Sequence, residues 1–217
     1  MLGRREFLAY ATSSLPALAM TGVIPFAGAA PGADAWDLKW PARLTGTRKA
    51  VFDVAEIDSG FGVFRAAVWA GQRVELLGSA PTDVSPVVVL RSHAVVLALQ
   101  QSFWNRYSVG RLRRVTHPVS LKETARNPAL MDATDGIPAP LANATLPKQL
   151  SRGVTVLACN LALQSWIDAV AETEKLSEAE ARKQVVSALV PGVILQPSGV
   201  LATILAQEHG CAYIRSA

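Results

Sequence analysis

Two cysteines among 217 residues cannot build a disulfide framework. Histidine is nearly as scarce: His93, His117 and His209 have no ligand spacing to one another or to a cysteine, so no metal site is indicated. Charged residues make up only 18% of the chain against 50% hydrophobic ones, which excludes an intrinsically disordered chain. The same composition excludes a collagen or a coiled coil. The net charge of +4 is small and comes without an array of stacking aromatics, so nucleic acid is not the indicated partner. There is no P-loop and no Gly-x-Ser-x-Gly elbow. Gly60-Phe61-Gly62 opens like a dinucleotide fingerprint, but Arg65 takes the third glycine position, where close helix–strand packing is needed. No cofactor is therefore expected. The length suits one domain behind a short leader.

The leader is read from Gly3-Arg4-Arg5-Glu6-Phe7-Leu8 and the uncharged stretch from Ala9 to Ala33. A positive start, an apolar middle and small residues at a cleavage site describe an export signal. The Arg-Arg-x-Phe-Leu run resembles a twin-arginine (Tat) signal, which implies the Tat machinery as a partner and a periplasmic or otherwise exported product. Cleavage is expected after Ala29, with Ala35 as the alternative. Pro16, Gly22 and Pro25, with several Ser and Thr, make the stretch a poor membrane anchor, so no stable span is expected after cleavage. Residues 30–47 read as an N-terminal tail.

From residue 48 the chain alternates β-rich runs with helical periods. Lys49–Val54, Pro86–Leu90, Val154–Ala158, Val193–Gln196 and Ala212–Arg215 read as five strands. The second and third are continuous apolar runs, as strands buried on both faces should be. Helices are expected over Phe61–Leu77, Val95–Tyr107, Leu146–Arg152, Leu161–Thr173, from Ser177 and from Ser198 to His209. Ser177 and Glu180 have capping-box spacing, and Gly210 sits where a helix-ending glycine belongs. Gly110–Pro147 shows no sustained period and is read as a long irregular insertion, with a short helix near Ser120–Arg126. Strands alternating with helices predict an α/β three-layer sandwich of about five mostly parallel strands, flavodoxin-like in size.

In open α/β sheets, ligands sit beyond the carboxyl ends of the strands. Four segments converge there: Asp58–Gly62, Arg91-Ser92-His93, Cys159-Asn160 and Gln196-Pro197-Ser198-Gly199. Cys159 ends a strand and precedes a helix for which Asn160 is a natural cap. A helix N-terminus favours the thiolate, the nucleophilic form of cysteine. A packed, unreactive cysteine is the other reading, and position alone leaves both open. Ser198 and Gly199 open a helix whose free N–H groups can hold an anion, and His93 is a candidate proton carrier. Cys211 starts its strand whereas Cys159 ends its own. Their sheet edges are roughly 15–20 Å apart, too far for a disulfide.

Three runs carry a family resemblance: Gly153–Asn160 with V-x-x-C-N, Leu189–Val200 with P-G-V-x-x-x-P-S-G-V, and Ala206–Ile214 with Q-E-x-G-x-A-Y-I. With Arg91–Tyr107, including His93, Trp104 and Tyr107, they resemble the DsrE/DsrF-like family over roughly Arg48 to Ser216. The resemblance implies a five-stranded parallel sheet with helices on both faces and a homo-oligomer. Its sulfur-relay members carry persulfide on a cysteine after a central strand, which corresponds to Cys159. The expectation is a periplasmic protein that binds or relays sulfane sulfur through Cys159, with a donor or acceptor protein or a small persulfide as partner. Arg91, His93, Asn160, Ser198 and Gly199 would line the site. The alternative is a non-catalytic binding or assembly module with a structural Cys159.

Overall fold

A computed structural model of the chain describes residues 36–217. The expected export signal and both expected cleavage points lie outside the described residues. Five strands form one sheet: β1 (Arg48–Val54), β2 (Val84–Leu90), β3 (Thr155–Cys159), β4 (Ile194–Gln196) and β5 (Ala212–Arg215). Their order is β4-β3-β2-β1-β5 and every pairing is parallel. The helices are α1 (Phe61–Glu75), α2 (Gln101–Arg106), α3 (Val109–Leu112), α4 (Ala139–Ala142), α5 (Leu146–Ser151), α6 (Asn160–Glu174), α7 (Glu178–Ser187) and α8 (Gly199–Glu208). No helix among the described residues is long and apolar enough to cross a membrane.

The strand order dictates the layers. From β1 to β4 the chain steps in one direction across the sheet. It then returns past β1 to place β5 on the far edge. Right-handed crossovers put helices of the outward path on one face and the returning helix on the other. Ala50, Phe52, Val54, Val88, Leu90, Val156 and Ala158 accordingly pack with Val63 and Ala66 of α1 and Leu163 and Ile167 of α6. The alternate residues Val51, Val87, Val89 and Leu157 pack under Ala202 and Ala206 of α8, with Trp40 and Leu44. A parallel sheet covered on both faces makes the protein a three-layer α/β sandwich. Trp40 is fully buried, and its indole N–H donates to Gln196 Oε1 at 3.1 Å, so part of the segment read as a tail belongs to the core.

All five strands start and end within two residues of the expected bounds. The Ser177–Glu180 capping box is formed, and Gly210 terminates α8 with a φ of +86°. One expected helix is α-helical only in its second half, and another is not formed. Over Val95–Tyr107 the chain first makes a 3-10 helix, Ser92–Ala98, and then α2. Each of Ala94 to Leu99 is fully buried, so this stretch has no polar face. Leu99 leaves helical geometry to bridge Leu189. No helix forms at Ser120–Arg126 because His117 Nδ1 accepts the Val119 and Ser120 N–H groups and Leu121 has a φ of +58°. The chain doubles back instead, pairing Thr116 with Glu123.

The 110–147 insertion is largely irregular but well tied. Arg126 pairs in a bidentate manner with Asp135 at 2.9 Å, and Met131, Ile137 and Ala142 form a small core. Asn127, fully buried, donates to the Leu97 and Leu99 carbonyls and accepts from Ala129 N–H. Two carbonyls freed by the extended end of the 3-10 segment thus find their donors 28–30 residues away. Asn127→Ala leaves both unpaired, and at ~1–3 kcal/mol per buried orphan it should cost about 2–6 kcal/mol in urea unfolding. A loss below ~0.5 kcal/mol would show that the insertion is not anchored through this residue.

Candidate functional site

The carboxyl edge of the sheet gathers most of the expected residues. Cys159 is the last residue of β3, level with Gln196 of β4. It is also the N-cap position of α6, with extended backbone at φ −79° and ψ 115°. The helix therefore opens one residue earlier than expected. Asn160 is its first residue, not its cap, and no side chain caps this end. Asn160 is buried and its Oδ1 has no hydrogen-bond partner.

Arg91 directly follows β2, next to Leu90, which is level with Ala158 of β3. Its Nε and Nη2 donate to Asp53 Oδ1 and Oδ2 at 2.6 and 2.8 Å, and Tyr213 Oη donates to Oδ2 at 2.8 Å. Burial acts to raise the Asp53 carboxyl, but the Arg91 and Tyr213 hydrogen bonds and the charges of Arg91 and Arg215 outweigh it and hold it low. The Asp53 bond raises the Arg91 guanidinium against its own desolvation, and the Cys159 sulfur lies within its electrostatic reach.

The first turn of α8 rests on the Arg91 stem. A Cβ on Gly199 would come within 2.6 Å of Arg91 Cβ, so only glycine allows this approach. Ser198 caps the helix by accepting Leu201 N–H at 3.0 Å. The structure thus brings Arg91, Cys159, Ser198 and Gly199 to one edge. His93 Nδ1 lies 2.9 Å from Glu56 Oε2, with both side chains about 60% exposed. The expected proton carrier is engaged with a carboxylate instead. A strained backbone at Ser92, φ +49°, separates it from Arg91.

Asp53 and Tyr213 were not expected at the site, and Gln196, expected at this edge, has a structural part that was not. Asp53 was legible as a lone carboxylate inside the apolar run K-A-V-F-D-V, since a charge in a buried strand requires a cation. Tyr213 has no comparable local signal. Gln196 is fully buried and binds the Asp37 carbonyl as well as the Trp40 indole.

Chemically, the edge offers a thiol at the N-terminus of a fifteen-residue helix, beside a guanidinium already neutralised by a carboxylate. Stabilisation of negative charge on sulfur falls mainly to the α6 N–H groups and dipole. Cys159 and Cys211 are both free, and each is 6% exposed. Three strand spacings separate β3 from β5, about 14 Å at ~4.8 Å each, so a bridge is out of reach. Burial pushes the Cys211 thiol up, against a smaller pull from Lys49.

No family model matches the chain, and no curated protein matches it.

Because the folded carboxyl of Asp53 is held below its ordinary range, its contribution to stability is present above about pH 4 and is lost as pH falls through the lowered value. Stability of the protein should therefore drop with pH below about 4. Asp53→Asn, which does not titrate, should show a shallower drop over that interval, with Asp135 supplying part of what remains. An unchanged slope in the variant would mean that the Asp53–Arg91 pair is not linked to folding.

Proposed function

We propose that the protein takes up sulfane sulfur on Cys159 and passes it on, after export through the twin-arginine route. The observation that carries this reading is the position of Cys159, last in β3 and at the N-cap of α6, where no side chain caps the helix. There the helix supplies free N–H groups and the positive end of its dipole to a thiolate or persulfide anion. The DsrE/DsrF-like resemblance of the surrounding runs supports the same reading.

The chemistry needs no external oxidant or reductant. The Cys159 thiolate attacks the outer sulfur of a low-molecular-weight persulfide, forming a new S–S bond as the donor's S–S bond breaks. A thiolate leaves with the electron pair. With thiosulfate the leaving group is sulfite. Either way Cys159 ends as a persulfide anion, and the reverse step on an acceptor thiolate returns it to the thiolate. Cys159, a residue only 6% exposed, favours donors that present a terminal sulfur on a narrow stem. Arg91 positions the edge by holding Asp53 and bearing on Gly199. Val200, Leu201 and Ile204 of α8 are exposed, which supports a homo-oligomeric form.

A second reading, a non-catalytic binding or assembly module, is favoured by one fact: Cys159 is as deeply placed as Cys211. Intact-mass spectrometry after incubation with thiosulfate or polysulfide separates the two. The sulfur-relay reading predicts a single-sulfur adduct that dithiothreitol removes, absent from Cys159→Ser and retained in Cys211→Ser and His93→Ala. No adduct on the folded wild-type protein, or an adduct that survives Cys159→Ser, supports the module instead.

A further inference from the structure

The charge of the chain is unevenly placed. No Asp or Glu occurs between Asp83 and Glu123, and Arg111, Arg113, Arg114 and Lys122 lie together at the end of that interval. With Glu123 they give residues 111–123 a net charge of +3, in a chain whose total is +4. All five of these residues are exposed. Elsewhere Arg43, Arg65, Arg91, Arg106 and Arg126 each pair with a carboxylate. Among the described residues, Arg111, Arg114 and Lys122 have no such partner.

The same stretch exposes large apolar side chains: Leu112 at 66%, Val119 at 50% and Leu121 at 72%. It is also held in shape. A Cβ on Gly110 would come within 2.1 Å of the Thr124 carbonyl oxygen, so α3 lies directly against the returning arm of the 115–124 hairpin. Across that hairpin the Thr124 N–H donates to the Val115 carbonyl at 2.9 Å and the His117 N–H to the Lys122 carbonyl at 2.8 Å. The Arg113 guanidinium lies 5.4 Å from the Trp166 ring centroid, tying the lobe to α6.

We infer that residues 111–122 dock the protein peripherally on an anionic lipid surface, independently of Cys159. Arg111, Arg114 and Lys122 meet the headgroup phosphates, while Leu112, Val119 and Leu121 enter the headgroup–acyl boundary. The combination of charge and hydrocarbon names the occupant. A nucleic acid would answer the cations but leave three apolar side chains in water, whereas an anionic bilayer offers negative charge and hydrocarbon at adjoining depths.

Co-sedimentation of the full chain with phosphatidylglycerol–phosphatidylcholine vesicles, against phosphatidylcholine alone, tests this. Binding to the anionic vesicles should be at least about tenfold stronger, since each cation near such a surface is worth roughly fivefold. It should weaken as salt rises from about 0.1 to 1 M, which shortens the screening length from ~10 to ~3 Å. Arg111→Ala, Arg114→Ala and Lys122→Ala combined should lose about thirtyfold or more, and Lys122→Gln alone about fivefold. Leu112→Ser with Leu121→Ser should weaken binding about fivefold or more while keeping its salt dependence. The replaced side chains are exposed, so circular dichroism and Tm should be unchanged. Every variant keeps the same first 35 residues, so differences among them report this stretch. No preference for anionic vesicles overturns the proposal, as does wild-type binding by the triple variant. Wild-type binding by the double leucine variant overturns the lipid assignment in favour of a soluble polyanion.

Discussion

The Asp53–Arg91 pair is the constraint on which the carboxyl edge depends. Asp53 sits within β1 at 4% exposure, where a carboxylate is tolerable only with a committed partner. Arg91 supplies it from the end of β2 in bidentate geometry, and Tyr213 of β5 adds a third hydrogen bond. Three adjacent strands are thereby tied through one carboxylate. The stem of the same arginine forms the bed for the first turn of α8, and Gly199 is what permits that approach. Buried ion pairs of this kind are weak sources of net stability, because desolvation offsets the attraction. Losing one partner is another matter, since it strands the other charge. What the pair supplies is placement.

Placement also sets what the arginine presents to the neighbouring thiol. With Asp53 accepting two of its N–H groups, Arg91 offers Cys159 a dipole and not a free cation. The helix N-terminus of α6 is left as the main source of positive potential at the sulfur. The uncapped state of that helix is consistent with this role: no side chain occupies the N–H groups that a sulfur anion would use. His93 is exposed and paired with Glu56.

Much of the fold was legible because parallel strands advertise themselves. Pro86–Leu90 and Val154–Ala158 are apolar throughout, and turn residues or caps bound the helices between them. The Val95–Tyr107 segment misled for a related reason. Periodicity detects a face, and six consecutive residues buried on all sides have none. The Ser120–Arg126 helix failed to form for a local reason: one histidine nitrogen takes the N–H groups that a first turn would leave free. At the site, Cys159, Arg91, Ser198 and Gly199 could be read from strand ends and helix starts. The partners of Asp53 could not, since Arg91 lies 38 positions away and Tyr213 160.

The central claim is that the strand-to-helix junction makes Cys159 a nucleophile despite its burial. Its most direct test compares two equally buried thiols within one molecule. Alkylation of the native protein by iodoacetamide near neutral pH, followed by peptide mass spectrometry, reads Cys159 and Cys211 side by side. The account predicts that Cys159 is labelled at least about tenfold faster, since only it faces a helix N-terminus while burial holds Cys211 protonated. Equally slow labelling at both positions would contradict it and leave Cys159 as a packing residue.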